Sequence, residues 1–190
     1  VEAIDEATIQ GFELGASWQM TDSLRLDAGY SNIDGEIDEM AVRPYVSGNE
    51  IPNLAEYTAN IAITWNQEMG GLDLLARLEY AYQGETFYHV VQGSDLDEPR
   101  AGDFEGLPLE VPAVLFGGLG TSYSKTEVEA YGVMNLRLGV GGENWRVTAF
   151  ARNLLDEEYI AEVILAPEFG GGFVTPGAYR SAGVELEFMF

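Results

Sequence analysis

Seven runs along this chain alternate apolar and polar residues with a period of two, each over roughly 9–12 residues, and no helical periodicity replaces them. In "FELGASWQM", Phe12, Leu14, Ala16, Trp18 and Met20 share one face. "LRLDAGYSN" does the same with Leu24, Leu26, Ala28 and Tyr30, and "YTANIAITWN" with Tyr57, Ala59, Ile61, Ile63 and Trp65. The fourth run carries Leu72, Leu74, Ala76, Leu78, Tyr80 and Tyr82. The fifth carries Met134, Leu136, Leu138 and Val140, and the sixth Trp145, Val147, Ala149 and Ala151. The seventh, "GVELEFMF", carries Val184, Leu186, Phe188 and Phe190. Successive strand residues point to opposite sides of a sheet, so each run is a strand with one apolar and one polar face.

The connections alternate as well. "TDS", "QEMGG" and "GGEN" are short. The segments 34–54, 84–128 and 155–177 are long and rich in Gly, Pro, Asp and Glu. Short turns and long loops therefore lie at opposite ends of the sheet, the layout of an outer-membrane barrel with tight periplasmic turns. A soluble sandwich alternates equally well. Three features favour the barrel: strands longer than the usual ~5–6 residues, charges in mid-strand on the polar faces, and the strict alternation of loop lengths. Arg25 lies near Asp27, and Arg77 near Glu79, as in a wet lumen. Trp18, Tyr30, Tyr57, Trp65, Tyr80, Tyr82, Trp145 and Phe190 sit near strand ends and suit interfacial girdles.

Composition supports this assignment. The formal net charge is −23, from 32 acidic and 9 basic residues, although 46% of residues are hydrophobic. Such repulsion weakens a compact soluble core and is easier to carry in long solvated loops. It also disfavours nucleic acid as a partner, since phosphates need Lys and Arg. Cysteine is absent, which removes disulfide scaffolds and thiolate chemistry. No apolar run reaches the ~18 residues of a spanning helix.

Seven strands is an odd number. Single-chain bacterial barrels have an even number, and an open sheet would leave bare edges in lipid. The expectation is a transmembrane antiparallel β-barrel of which these are the C-terminal strands, the remaining strands coming from an upstream segment or another chain.

The stretch "VTAFARNLLDEEYI", then "PGAYRSAGVELEFMF", resembles the C-terminal barrel region of TonB-dependent outer-membrane receptors. Asn153, Leu154, Leu155, Asp156 and Tyr159 match that family's motif at the end of the penultimate strand. Pro176, Gly177, Tyr179 and Arg180 match the approach to its last strand. Gly11, Phe12 and Glu13, and the "IPNLAEYTANIAITW" stretch, are weaker cues. The resemblance implies a barrel of about 22 strands around an N-terminal plug, with residues 1–190 as a C-terminal portion of the barrel domain. It implies energy-coupled uptake of a scarce nutrient, such as a ferric siderophore, with TonB acting through a TonB box on the plug. The other reading is a passive porin or structural barrel protein. Expected partners are outer-membrane lipid, the remaining strands and plug, and TonB. Phe188 and Phe190 resemble the C-terminal signal read by the barrel-assembly machinery. The expected location is the cell outer membrane of a Gram-negative bacterium.

No catalytic constellation is present. His89 has no nucleophile motif around it, and neither a phosphate loop nor a His-based metal motif occurs. Acids cluster at Asp34, Glu36, Asp38 and Glu39, at Asp95, Asp97 and Glu98, and at Asp156, Glu157 and Glu158. Their oxygens suit Ca²⁺, but the spacing matches no dedicated loop, and a solvated acidic surface is the expectation. The longest loop carries Phe87, Tyr88, His89, Phe104, Phe116 and Tyr123. These groups can grip a ligand from a rigid scaffold, or pack the loop on itself over the barrel mouth. The sequence leaves both readings open.

Overall fold

The computed structural model describes residues 3–92, 127–166 and 171–190. Its strands are β1 (Glu6–Gln19), β2 (Leu24–Glu39), β3 (Tyr57–Met69), β4 (Leu72–Gln83), β5 (Thr86–Phe87), β6 (Glu127–Val128), β7 (Tyr131–Gly141), β8 (Trp145–Arg152), β9 (Ile160–Ala166), β10 (Gly171–Pro176) and β11 (Ser181–Phe188). Seven of them form one sheet in the order β1-β2-β3-β4-β7-β8-β11, every neighbouring pair antiparallel. These are the seven strands expected from the alternation. β5 pairs with β6, and β9 with β10, in two small separate two-stranded sheets.

The register makes the two faces continuous. Trp18, Leu26, Ile63, Leu78, Leu136, Ala151 and Ala182 are successive partners across all seven strands. One residue along, Gln19, Arg25, Thr64, Arg77, Arg137, Phe150 and Gly183 form the matching row on the opposite face. A slip of one residue between any two strands would mix the rows, so the amphipathic pattern fixes the pairing. The apolar row is not a core: Leu14 and Leu186 are each 64% exposed. No helix among the described residues is long and apolar enough to cross a membrane. Paired strands satisfy their backbone groups sideways and can cross instead.

The aromatic residues separate by end. Trp18, Trp65 and Trp145 lie at the short-turn end. Tyr30, Tyr57 and Tyr82 lie at the long-loop end, with Phe12 5.9 Å from Tyr30 and Tyr57 stacked 6.0 Å from Tyr82. On β3, Tyr57 and Trp65 are eight residues apart, ~27 Å along the strand at ~3.4 Å each. With the usual tilt this fits between the girdles of an apolar band ~25 Å tall. The tightest turn is Gly70-Gly71, at φ 63° and 77°, closed by the Met69–Leu72 pair. Two consecutive positive φ values define a mirror-image hairpin turn that glycine adopts without Cβ strain.

Three long connections contain more structure than their sequences suggest. β1 and β2 run six or seven residues beyond the expected strand ends, pairing as far as Glu6 and Glu39, so the loop foreseen at 34–54 starts near residue 40. β2 has 16 residues, against the ~9–11 that cross hydrocarbon. Past Asn32 the two faces exchange polarity: Asp34, Glu36 and Asp38 continue the side of Leu26 and Tyr30, while Gly35 and Ile37 on the other side are buried. The segment 155–177 holds the β9–β10 hairpin, and 84–128 contributes β5 and β6.

Among the described residues, the hydrophobic cluster sits at the far end of β2 and the connection that follows it, away from the apolar face of the sheet. Ile37, Met40, Val46 and Val91 are buried together, with Ile4, Tyr45, Ile51 and Val90 packed around them. Backbone bonds from Ile37 N to Asn49 O (2.9 Å) and Ile51 N to Gly35 O (3.0 Å) fold residues 48–51 against β2. The Asn49 side chain donates to Val90 O at 2.8 Å, tying in the start of the longest loop.

Candidate functional site

Three regions carry polar or aromatic groups in arrangements that ordinary packing does not require. The first is the polar face of the sheet. Arg25 clamps Asp27 at 2.8 Å. Arg77 holds Glu79 at 2.6 Å and donates to Thr64 Oγ1 at 2.7 Å. Arg146 lies 3.9 Å from Glu187. Arg25, Asp27, Asn60, Thr64, Arg77, Glu79 and Asn135 line one polar depression of about 620 Å³. The Arg–acid pairs on β2 and β4 are each spaced i, i+2, which period-2 alternation places side by side on one face.

The second region is the projecting cap. Phe87 pairs with Glu127, and its carbonyl accepts from Asn53 N at 2.7 Å. Tyr88 donates its hydroxyl to Ala161 O at 2.7 Å, linking this loop to β9. Burial, then the nearby Glu162, raises the Tyr88 hydroxyl above its ordinary pKa. His89 Nδ1 accepts from Val91 N at 3.0 Å. These three ligand candidates therefore lie where two long connections meet. Phe104, Phe116 and Tyr123 lie outside the described residues, as do Asp95, Asp97 and Glu98.

Among the described residues, no group of three or more His, Cys, Asp or Glu side chains could hold a metal ion. The acids of the first cluster bond locally. Thr8 Oγ1 donates to Asp38 at 2.7 Å and Gln10 Nε2 to Asp34 at 3.1 Å. Glu50 is pushed above the usual carboxylate range by burial first, then by Glu56, Glu85, Glu127 and Asp34.

The third region gathers the two C-terminal motifs. Asn153 is buried, with φ 49°. Its Nδ2 donates to Glu157 O (2.8 Å) and Ala178 O (3.0 Å), and its Oδ1 accepts from Glu157 N (2.9 Å). Its own N–H reaches Asn135 Oδ1 on β7 at 3.1 Å. Tyr159 stacks on Tyr131 with centroids 4.2 Å apart. Gly177 donates to Tyr159 O at 2.7 Å, and Ala178 N to the Tyr159 hydroxyl at 3.2 Å. A Cβ at Gly177 would collide with the Tyr159 ring, so glycine is required there by close approach. Arg180 pairs with Asp156 at 3.2 Å. The sequence marked these residues as a signature, and the contacts show that they pin the end of β8 to the start of β11. Tyr131 was missed, since a lone aromatic at a strand start gives no signal of its stacking partner 28 residues later.

Phe188 lies opposite Trp145 on the apolar face, and Phe190 beyond it is fully exposed. Met189 N donates to Asn144 O at 3.0 Å, which keeps the strand paired up to that point.

The fold compares closely with solved outer-membrane receptors. The ferric yersiniabactin uptake receptor FyuA from Yersinia pestis superposes with a TM-score of 0.71 at 17% identity, covering 97% of this chain and 24% of FyuA. The siderophore receptor PiuA from Acinetobacter baumannii gives 0.64 at 18% identity, covering 96% of this chain and 22% of that receptor. BauA, the ferric preacinetobactin receptor from Acinetobacter baumannii, gives 0.65 at 12%, covering 96% and 22%. The chain thus spans about a quarter of the length of these receptors. The comparison with curated proteins gives no match. The model of the TonB dependent receptor-like β-barrel family matches residues 1–154. The match takes in six of the seven sheet strands, and the structural superpositions extend over the last. The apolar face is accordingly the lipid face of an outer-membrane barrel and the polar face its lumen. The chain belongs to the TonB-dependent receptor β-barrel family, whose members reside in the Gram-negative outer membrane.

Proposed function

We propose that residues 1–190 are the C-terminal portion of a receptor barrel that imports a scarce, bulky nutrient by TonB-dependent energy coupling, with a ferric siderophore as the leading ligand class. The family match over 1–154 carries this reading. The siderophore receptors among the structural relatives support the ligand class. In this reading a plug domain fills the lumen, TonB pulls on it from the periplasm, and the connections at 40–56, 84–130 and 153–180 face outward. Phe87, Tyr88 and His89, with Phe104, Phe116 and Tyr123, form the aromatic grip for the ligand. Phe188 and Phe190 are the handle for the barrel-assembly machinery.

Uptake of radiolabelled ferric siderophores by iron-starved cells carrying the full-length receptor tests the proposal. Saturable uptake that stops when an uncoupler collapses the proton gradient is expected. Non-saturable uptake indifferent to the uncoupler would mean a passive pore.

A further inference from the structure

Tyr88, His89 and Val90 follow β5 as a bend, outside any strand ladder. Their directions are therefore set by what holds the bend at its two ends. At the near end, Thr86 and Phe87 pair with Val128 and Glu127, and Asn53 N donates to Phe87 O at 2.7 Å. At the far end, Val91 is buried with Ile37, Met40 and Val46, and Gln92 follows it.

Gln92 reaches back to Glu50, 42 positions earlier in the chain. Its Oε1 accepts from Glu50 N at 3.0 Å, and its Nε2 donates to Glu50 O at 2.7 Å. The same Nε2 donates to His89 O at 3.2 Å, closing the bend on itself. A carboxamide offers an acceptor oxygen and two N–H donors, and all of these are engaged. Only one orientation of the amide suits both Glu50 groups. The backbone groups of Asn49 and Ile51 are spent on β2, so those of Glu50 point the other way, as along the open edge of a strand. The Gln92 side chain fills that edge as the peptide group of a third strand would.

We propose that Gln92 is a positioning residue for ligand binding, acting through the bend: its carboxamide sets the direction of Tyr88 and His89 by docking them on Glu50. The inference rests on the ligand grip given under Proposed function. Glutamine is the side chain this position needs. An ionised Glu keeps the acceptor and loses both donors, and Ala loses all of them.

The test uses the full-length receptor, with the ferric complexes of one trihydroxamate and one tricatecholate siderophore as probes. Binding per inserted receptor is measured at about pH 7.5 and about pH 5, either side of the range in which a carboxyl facing carbonyl oxygens takes up its proton. Asp34, Glu56, Glu85 and Glu127 act on Glu50, and His89 adjoins the clamp; all are present in wild type, so each variant is read against wild type at the same pH. At the higher pH, Gln92→Ala and Gln92→Glu should weaken binding about three- to tenfold, the worth of hydrogen bonds near a surface. At the lower pH, Gln92→Glu should return toward wild type, because the protonated carboxyl regains an O–H donor, and Gln92→Ala should not. Wild-type affinity in Gln92→Ala at both pH values would overturn the proposal. So would a Gln92→Glu receptor that stays as weak as Gln92→Ala in acid. If Gln92→Ala lowers abundance, Gln92→Glu read at the two pH values on one preparation carries the comparison. A wild type that binds neither complex would refute the ligand class instead. The clamp is then read from the Asn53 amide, whose hydrogen exchange should quicken about three- to tenfold in Gln92→Ala; unchanged exchange would overturn it.

Discussion

Replacing Asn153 should loosen the outer end of the last two strands without unfolding the barrel. Asn153→Ala removes three hydrogen bonds and leaves Glu157 N–H, Glu157 C=O and Ala178 C=O without their partner. At about 1–1.5 kcal/mol net each, this costs ~3–4 kcal/mol. The backbone at φ 49° suits Asn and strains Ala, adding about 1 kcal/mol. The total of ~4–5 kcal/mol falls on one connection, because the sheet ladder on either side is untouched. Hydrogen exchange followed by mass spectrometry on the full-length receptor reads it directly. Amides of Glu157, Gly177 and Ala178 should exchange roughly a thousandfold faster, since each ~1.4 kcal/mol is a factor of ten. Asn153→Gly accepts the φ and should lose only the hydrogen-bond share. Asn153→Asp keeps an acceptor for Glu157 N but aims oxygen at two carbonyls, and should be no better than Ala. If Asn153→Ala left these amides as protected as in wild type, the hydrogen-bond reasoning would be refuted.

Lipid-phase labelling of single-Cys variants should mark positions 14, 26, 61, 78, 136 and 186 and spare 25, 77, 137 and 185; equal labelling of both sets would sink the face assignment. At the same sites, Leu136→Arg should cost ~2–4 kcal/mol in the bilayer midplane, read by heat-modifiable migration. Phe190→Ala should lower the amount of receptor in the outer membrane while the inserted fraction binds ligand normally, because an exposed ring contributes little to folded stability; normal abundance with weakened binding would contradict an assembly role. The raised pKa of Glu50 means that the folded cap holds this proton more tightly than the unfolded chain. Its contribution is therefore favourable at low pH and is lost as pH rises through the ordinary Glu range to the raised folded value. Exchange protection of amides 35–51 should fall over that window in wild type and stay flat in Glu50→Gln.

The strands were legible because the bilayer imposes the contrast that period-2 reading needs. Leu14, Ile61 and Leu186 alternate with lumenal residues only where lipid lies on one side and water on the other. Where β1 and β2 rise past the lipid, the backbone ladder continues but the faces exchange polarity, with Asp34, Glu36 and Asp38 following Leu26 and Tyr30 on one side and Ile33 and Ile37 following Arg25 and Asp27 on the other, and the reading stopped early. β9 failed for the opposite reason: Ile160, Val163 and Ile164 fall on both sides of the strand. The Asn153 motif was visible as residues in order, yet its meaning depended on Asn135 and Ala178, which are remote in sequence. The polar wall was half legible, since Arg25 with Asp27 and Arg77 with Glu79 are local pairs. Arg137 stands out only once the register sets it against Arg77.

The hairpin folded out of the last long connection has a kinetic consequence. Arg152 and Ser181 must meet to start the final pairing, with 28 residues between them. If β9 and β10 close first, they take 160–176 out of the flexible chain and leave 153–159 and 177–180. The entropy of closing an 11-residue loop rather than a 28-residue one is smaller by about 0.8 kcal/mol, from the (3/2)RT ln n dependence. The Tyr159–Gly177 contact at the base of that hairpin then holds the two chain ends side by side. The last strand of the sheet thereby approaches its partner as though it followed a short turn, and the order of assembly is written into a segment that never touches lipid.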